Sequence, residues 1–302
     1  MRIVVTGTEG QVARALLERA SAQGALITAV GRPELDFLQP ESIVPVIRAA
    51  APDVIVNAAA YTAVDQAETE PDLAAAVNGH GAAAVAAVAA DLGVPIIHLS
   101  TDYVFDGDLH WPYYETDPVG PVSAYGRTKL AGEQAVSAAT PNHVILRTAW
   151  VYSPFGRNFV KTVLRLAETR DELSIVADQH GSPTSALDIA DGVLMVCRNL
   201  LLRPADESLR GVFHMAGSGS TTWAGFAARI LEESARRGGP QAQIKDIGTV
   251  DYPTPAKRPA NSRLDCSKLF QVHDVKLPDW QTSLRACVAR LVEEQSVEGK
   301  VQ

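Results

Sequence analysis

The feature that most constrains this 302-residue chain stands at its start. Arg2 to Thr6 is a short β-branched run, predicted to be a buried strand. Gly7-Thr8-Glu9-Gly10-Gln11-Val12-Ala13 follows, and a helix is predicted over Arg14 to Ser21. Strand, glycine turn and helix in that order form the context in which a glycine motif points to a dinucleotide. Gly7 permits the tight turn, Gly10 lets the backbone approach a pyrophosphate, and Ala13 is small enough for close helix–strand packing. Amides at the helix start, around Gln11 and Val12, would hold the phosphates. An ordinary βα turn uses the same residue types, so the motif alone leaves both readings open.

The pattern then repeats. Strands are predicted at Leu26 to Val30, Asp53 to Asn57, Val94 to Leu99 and His143 to Thr148, with helices at Glu41 to Ala50, Leu73 to Ala90 and Ser123 to Ala138. Strands alternating with helices argue for an α/β fold, a doubly wound parallel sheet of Rossmann type. Beyond Tyr152 the rhythm changes. Helices are expected at Phe159 to Ala167, Ala186 to Leu201, Thr222 to Arg236 and Trp280 to about Glu294, and strands at Leu173 to Ala177, Gly211 to Met215 and Ala242 to Ile247. Residues 1–152 are therefore expected to form a dinucleotide-binding domain. Residues 153–302 would form a smaller C-terminal α/β substrate domain, with 185–217 returning to the first sheet.

Composition excludes several classes. A net charge of −8 without a basic run gives no footprint for nucleic acid and no attraction to anionic membranes. The longest apolar stretch, Leu73 to Ala90, is interrupted by Asn78, Gly79, His80 and Gly81, so it is expected to be a buried helix and no membrane span is expected. Met1 leads straight into Ile3, leaving no signal-like region. Cys197, Cys266 and Cys287 are odd in number and far apart, which suits neither a disulfide framework nor a zinc site and fits a reducing cytoplasm.

Candidate chemistry lies at the predicted C-terminal ends of strands. The second strand ends at Gly31-Arg32 without the carboxylate that binds a ribose 2′-hydroxyl, so Arg32 favours the 2′-phosphate of NADP; a plain surface arginine is the alternative. Asp36 and Phe37 are placed to line an adenine pocket, and Ala58, Ala59 and Ala60 are small residues leaving room for a ligand at a strand end. Asp65 and Glu68 are expected to charge the start of the following helix. Tyr125 and Lys129, four apart, share a helix face. A lysine there is expected to lower the tyrosine pKa and so fit it for proton transfer to a carbonyl oxygen. Thr101, 24 residues earlier, has a hydroxyl able to donate to the same carbonyl. The alternatives are a solvated Tyr–Lys pair and a loop-capping threonine.

Taken together, Gly7-x-x-Gly10-Gln11-Val12, Asn57-Ala-Ala-Ala-Tyr-Thr-Ala-Val-Asp65-x-Ala-Glu68, Ser100-Thr-Asp-Tyr-Val-Phe105, Tyr125-Gly-x-Thr-Lys129, Arg147-Thr-x-Trp150-Val-Tyr152, Gly181-Ser-Pro-Thr184 and Arg258-Pro-Ala-Asn-Ser-Arg263 are similar to an extended short-chain dehydrogenase/reductase. More closely, the chain resembles the dTDP-4-dehydrorhamnose reductase family over nearly its whole length. The resemblance implies reduction of the 4-keto group of dTDP-4-dehydrorhamnose by NAD(P)H to dTDP-L-rhamnose, with NADP(H), or else NAD(H), as cofactor and a nucleotide sugar as partner. It implies Thr101, Tyr125 and Lys129 as the catalytic set. Asp102, Tyr103 and Trp150 would line the substrate pocket, and Arg258, Asn261 and Arg263 would wall the diphosphate. Some family members dimerise through magnesium held by glutamates. Here Arg14-Ala15-Leu16 carries no carboxylate before Glu18, so no metal site and a monomer or weak homodimer are expected. Two alternatives remain open: a reductase of another nucleotide-4-keto-6-deoxyhexose, and a non-catalytic regulatory subunit of the methionine adenosyltransferase type.

Overall fold

The computed structural model describes residues 1–298. In the first half β1 (Arg2–Thr6), α1 (Gln11–Arg19), β2 (Leu26–Val30), α2 (Ile43–Ala49), β3 (Val54–Asn57), α3 (Pro71–Ala75), α4 (Ala82–Leu92), β4 (Ile96–Thr101), α5 (Ala124–Ala139) and β5 (His143–Thr148) follow one another. Then come β6 (Val151–Tyr152), α6 (Phe159–Ala167), β7 (Glu172–Val176), β8 (His180–Gly181), β9 (Thr184–Ser185), α7 (Ala186–Leu202) and β10 (Gly211–His214). The chain continues through β11 (Thr221–Thr222), α8 (Trp223–Ala235), β12 (Gln243–Ile247), α9 (Ser267–His273) and α10 (Trp280–Glu298).

Six strands form one parallel sheet in the order β10-β5-β4-β3-β1-β2. Its strands are apolar on both faces because both are covered. Ile3, Val5, Val54 and Val56 pack against residues of α1 and α7, while Val4, Ile55 and Ile96 face the other way among residues of α2 and α4. This alternation is the strand period of two. Each such side chain contributes roughly 1.5–3 kcal/mol on burial. The return to the first sheet is carried by α7, packed on α1, and by β10, paired with β5. Helix α9 is an element that the sequence pattern did not suggest. It is only seven residues long, and its Leu269, together with Val275 and Leu277, is held in the core shared by α1 and α7.

A second core gathers Val160, Val163 and Leu164 of α6, Phe226 and Ile230 of α8, and Trp280, Leu284 and Val288 of α10. It is flanked by the parallel pair β7–β12. The helix predicted over Leu73 to Ala90 is in fact three segments, with wider π turns over Ala76–Gly81 between α3 and α4. By length and composition Pro71–Leu92, with mean hydropathy 1.5, is long and apolar enough to cross a membrane. Half of it is buried in the fold, where α4 packs on α2 and α5.

Candidate active site

The sheet order reverses between β1 and β3, and ligands of open α/β sheets bind at such a switch point, beyond the strand C-termini. A cavity of about 790 Å³ lies there. The expected cofactor residues line it: Gly7, Gly10, Gln11 and Val12, then Arg32, Asp36 and Phe37, then Ala58, Ala59 and Ala60, and finally Tyr125 and Lys129. Gly7 takes φ +93°, a left-handed value that glycine adopts without strain. Helix α1 starts at Gln11, three residues before the predicted start, with Gly10 as its N-cap. No side chain caps it and no acidic residue sits in its first turn, so its amides and dipole are open to an anion. Arg32 and Arg157 add exposed cations to the lining. The chemistry of this donor set fits a dinucleotide.

The loops around this cavity are tied together from beneath. Thr6 Oγ1 donates to Asn57 Oδ1 at 2.6 Å and accepts the Ala58 and Ala59 amides at 3.2 Å each. The Asn57 amide meets His98 Nδ1 at 3.0 Å, completing a buried chain across β1, β3 and β4. Asn78, inside the π turns, accepts from the Tyr61 amide (2.8 Å) and donates to the Tyr61 carbonyl (3.1 Å) and to Thr128 Oγ1 (3.0 Å). It thus pins the 58–62 loop to α5. Gln11 Oε1 accepts from Ser153 Oγ (2.7 Å) and Asn158 Nδ2 (3.0 Å), linking the glycine loop to the second half of the chain. Neither Asn78 nor the side-chain role of Gln11 was singled out from sequence. For Asn78 the available signal was an asparagine in an otherwise alanine-rich stretch, and the structure buries it to 1% exposure.

The reacting groups converge where β4 meets α5. Ser123 caps α5 by accepting the Gly126 amide at 3.1 Å. Gly126 lies so close to the Tyr103 carbonyl that a Cβ there would fall 2.2 Å from the oxygen, so only glycine lets the helix start touch the turn after β4. That contact sets Tyr125 beside Thr101, with its ring 5.8 Å from that of Tyr103 and edge-on. Glu68 Oε1 accepts the Ala124 amide at 2.7 Å, so its charge serves the start of α5 rather than its own turn as expected.

The electrostatics differ from the expected lowering of the phenol pKa. Lys129, 2% exposed, donates from Nζ to the Leu99 carbonyl at 2.7 Å, and burial lowers its pKa to about 8 against the opposing pull of Glu133. Burial is also the main influence on Tyr125 and raises its pKa; the facing Thr101 hydroxyl works the other way and the Asp102 charge adds to the rise. Desolvation of the phenolate outweighs the ammonium one turn away. Tyr125 is therefore held protonated near neutral pH, the state an acid needs. Asp102, 3% exposed, is pushed up to about 7 by burial, with Ser262 and Thr101 pulling down. The Thr101 hydroxyl donates to Asp102 Oδ1 at 2.9 Å and accepts the Tyr103 amide at 3.2 Å.

The expected substrate residues divide. Thr101, Asp102 and Tyr103 adjoin Tyr125. Trp150, at φ +46°, stacks on Trp223 with centroids 3.6 Å apart, and its Nε1 donates to Ser262 Oγ at 3.2 Å. The expected basic wall is not assembled. Arg258 pairs with Asp65 through both nitrogens, at 3.1 and 2.8 Å. Asn261 donates to the Leu109 and Trp111 carbonyls, both at 2.8 Å, and accepts from Arg263 Nε at 2.7 Å. Arg263 in turn donates to the His110 carbonyl at 2.6 Å. Asn261 and Arg263 thus hold the 107–113 loop, and Arg258 lies as a cation beside Tyr103. Glu18 forms an ion pair with Arg290 at 2.9 Å, and among the described residues no three His, Cys, Asp or Glu side chains cluster as metal ligands would.

Comparison with known proteins agrees with this geometry. The chain is 52% identical over 300 residues to a dTDP-4-dehydrorhamnose reductase of Sinorhizobium fredii (strain NBRC 101917 / NGR234), covering 99% of each chain. It is 42% identical to the dTDP-4-dehydrorhamnose reductase of Escherichia coli (strain K12), over 96% of this chain and 98% of that one. The structure of dTDP-4-dehydrorhamnose reductase from Bacillus anthracis in complex with NADP superimposes with a TM-score of 0.88 at 32% identity, covering 96% of this chain and 99% of the other. Residues 1–293 match the family model described as the RmlD substrate binding domain, and the chain belongs to that family.

Proposed function

We propose that this protein is an NADPH-dependent reductase of dTDP-4-dehydrorhamnose, forming dTDP-L-rhamnose in the cytoplasm, with NADH as the second cofactor choice. One observation carries the reading. Tyr125 and Lys129 line a cleft whose donor set fits a dinucleotide, with Thr101 beside Tyr125, in a chain 52% identical along its length to a reductase of that name. Residues 1–152 with 185–217 hold the dinucleotide, and the rest of 153–302 closes over the sugar nucleotide.

The dinucleotide, when bound, supplies hydride; this chain's residues do the rest. The α1 amides and Gly7–Val12 would bind the pyrophosphate, and Arg32 would hold the adenosine 2′-phosphate. Lys129, one helical turn from Tyr125, would hold the nicotinamide ribose. Thr101 orients the 4-keto oxygen, and Tyr125 gives that oxygen its proton. Trp150, stacked on Trp223, would wall the sugar, and Arg258 would serve the diphosphate. Holding keto group and acid in place removes much of the entropic barrier.

The test is NADPH oxidation by the purified protein with dTDP-4-dehydrorhamnose, with the product identified by NMR as dTDP-L-rhamnose. Absence of turnover on this and related 4-keto sugar nucleotides overturns the reading. Arg32→Ala should raise KM for NADPH but not for NADH.

A further inference from the structure

Among the described residues the cleft is lined by the cations Arg32, Lys129 and Arg157, and the reading above gives no task to the last. Lys129 is buried one turn from Tyr125 and donates to the Leu99 carbonyl. Arg32 follows β2, at one edge of the sheet. There Gly31 runs close to Thr8: a Cβ on it would lie 3.3 Å from the Thr8 side chain. Arg157 arrives from the other side of β1, in the turn between β6 and α6. Its neighbour Gly156, at φ +59°, runs beside Gln11, with a Cβ position 3.7 Å from Gln11 Cγ. The two arginines therefore flank the glycine turn, one by Thr8 and one by Gln11.

The turn that carries Arg157 is held from several directions. Ser153 Oγ accepts the Phe155 amide at 3.1 Å and donates to Gln11 Oε1 at 2.7 Å. Asn158 donates to the Ser153 carbonyl at 2.8 Å and caps α6 by accepting the Lys161 amide at 3.2 Å. The Phe155 ring, 7% exposed, lies under two guanidinium groups, Arg14 at 4.7 Å and Arg290 at 5.1 Å. Arg157 itself is exposed and has no hydrogen bond or ion pair among the described residues. A cation presented on a fixed turn loses little freedom when an anion arrives. The charged side chain of the glycine turn is Glu9, which also lines the cleft and has the wrong sign for a phosphate. The amides at the start of α1 thus need a cation from another segment, and Arg157 is the one beside Gln11.

We propose that Arg157 is a pyrophosphate-binding residue, supplied to the dinucleotide by the second half of the chain. The inference rests on the cofactor part of the reductase reading above. A guanidinium fork matches two phosphate oxygens, while the α1 amides serve the same group from the other side. The pyrophosphate is common to NADPH and NADH. Arg157 therefore sets affinity for both, whereas Arg32 separates them.

The experiment measures dissociation constants by calorimetry, without any sugar nucleotide. The ligands are NADPH, NADH and adenosine 2′-monophosphate, which carries the 2′-phosphate but no pyrophosphate. Arg157→Ala should weaken NADPH and NADH alike, by about tenfold or more, and leave adenosine 2′-monophosphate unchanged. Arg32→Ala should show the crossed pattern, weakening NADPH and adenosine 2′-monophosphate but not NADH. Arg157→Lys should recover part of the loss, because the charge stays and the fork is gone. Thermal melts of the ligand-free Arg157 variants should match the wild type. Equal dissociation constants in wild type and Arg157→Ala overturn the inference, as does a loss confined to NADPH and adenosine 2′-monophosphate. A ligand-free melt lowered equally in Arg157→Ala and Arg157→Lys makes the residue structural and overturns it too. A wild type that binds both dinucleotides but reduces no sugar nucleotide overturns the reductase reading alone; one that binds neither overturns both.

Discussion

The loops ending β1, β3, β4 and β5 meet the loop from Pro253 to Arg263 at Asp65 and Trp150, but the two sides are held by different means. On the nucleotide side the polar groups are buried and cross-linked through the sheet: Thr6 to Asn57 to His98, Ser100 to Glu133 at 2.5 Å, and Glu133 to Arg147 by three bonds of 2.7–3.2 Å. On the other side Arg258, Asn261 and Arg263 are partly exposed or satisfied by neighbouring carbonyls. The first arrangement fixes reacting atoms where small errors are costly. The second leaves an edge that a large, variable nucleotide sugar can enter.

Four substitutions break or sharpen that contrast. Tyr125→Phe should lower kcat by about 10²–10⁴ while the stabilisation by NADPH in thermal melts is retained. A variant turning over at near the parental rate removes Tyr125 as the acid. Glu133→Ala leaves the Arg147 charge buried, its side chain being 5% exposed, and should cost about 3–5 kcal/mol in denaturant unfolding. A loss under about 1 kcal/mol would show that the rigid side owes little to this pair.

Asp102→Asn tests the same region through pH. The folded pKa, about 7, lies above the ordinary 3.8, so the contribution of Asp102 is complete below pH 4 and is lost as pH rises through 7. The gap amounts to at most about 4 kcal/mol. Unfolding free energies of wild type and Asp102→Asn, measured from pH 4 to 8, should move in favour of the variant as pH rises, and parallel curves would contradict this. Smallest is Arg258→Ala. Its pair with Asp65 is 23% and 41% exposed, so the change in stability should stay under about 1 kcal/mol. KM for the nucleotide sugar should rise with kcat nearly unchanged; a fall in kcat like that of Tyr125→Phe would erase the distinction between the two regions.

Much was legible from local pattern. The six strands of the main sheet, the glycine turn, the position of Tyr125 and Lys129 on one helix and the small residues after β3 all follow from periodicities and turn chemistry spanning a few residues. Two features lay outside local pattern for a shared reason. The phenol was expected to be made more acidic by Lys129, but burial governs it. Asn261 and Arg263, expected to wall a diphosphate, hydrogen-bond carbonyls about 150 positions away, which no local pattern announces.

By itself, then, the order of residues determined the six strands of the main sheet and most of the helices, that the sheet is parallel, and which side chains crowd its C-terminal edge. Only the tertiary structure decided who partners whom: Asn57 with His98, Glu68 with the start of α5, Arg258 with Asp65, and Asp102 with Thr101 in a dry pocket. Backbone preference is set within a turn or two of chain. Hydrogen-bond choice and desolvation depend on which distant segments the strand order brings together and on how much water they exclude.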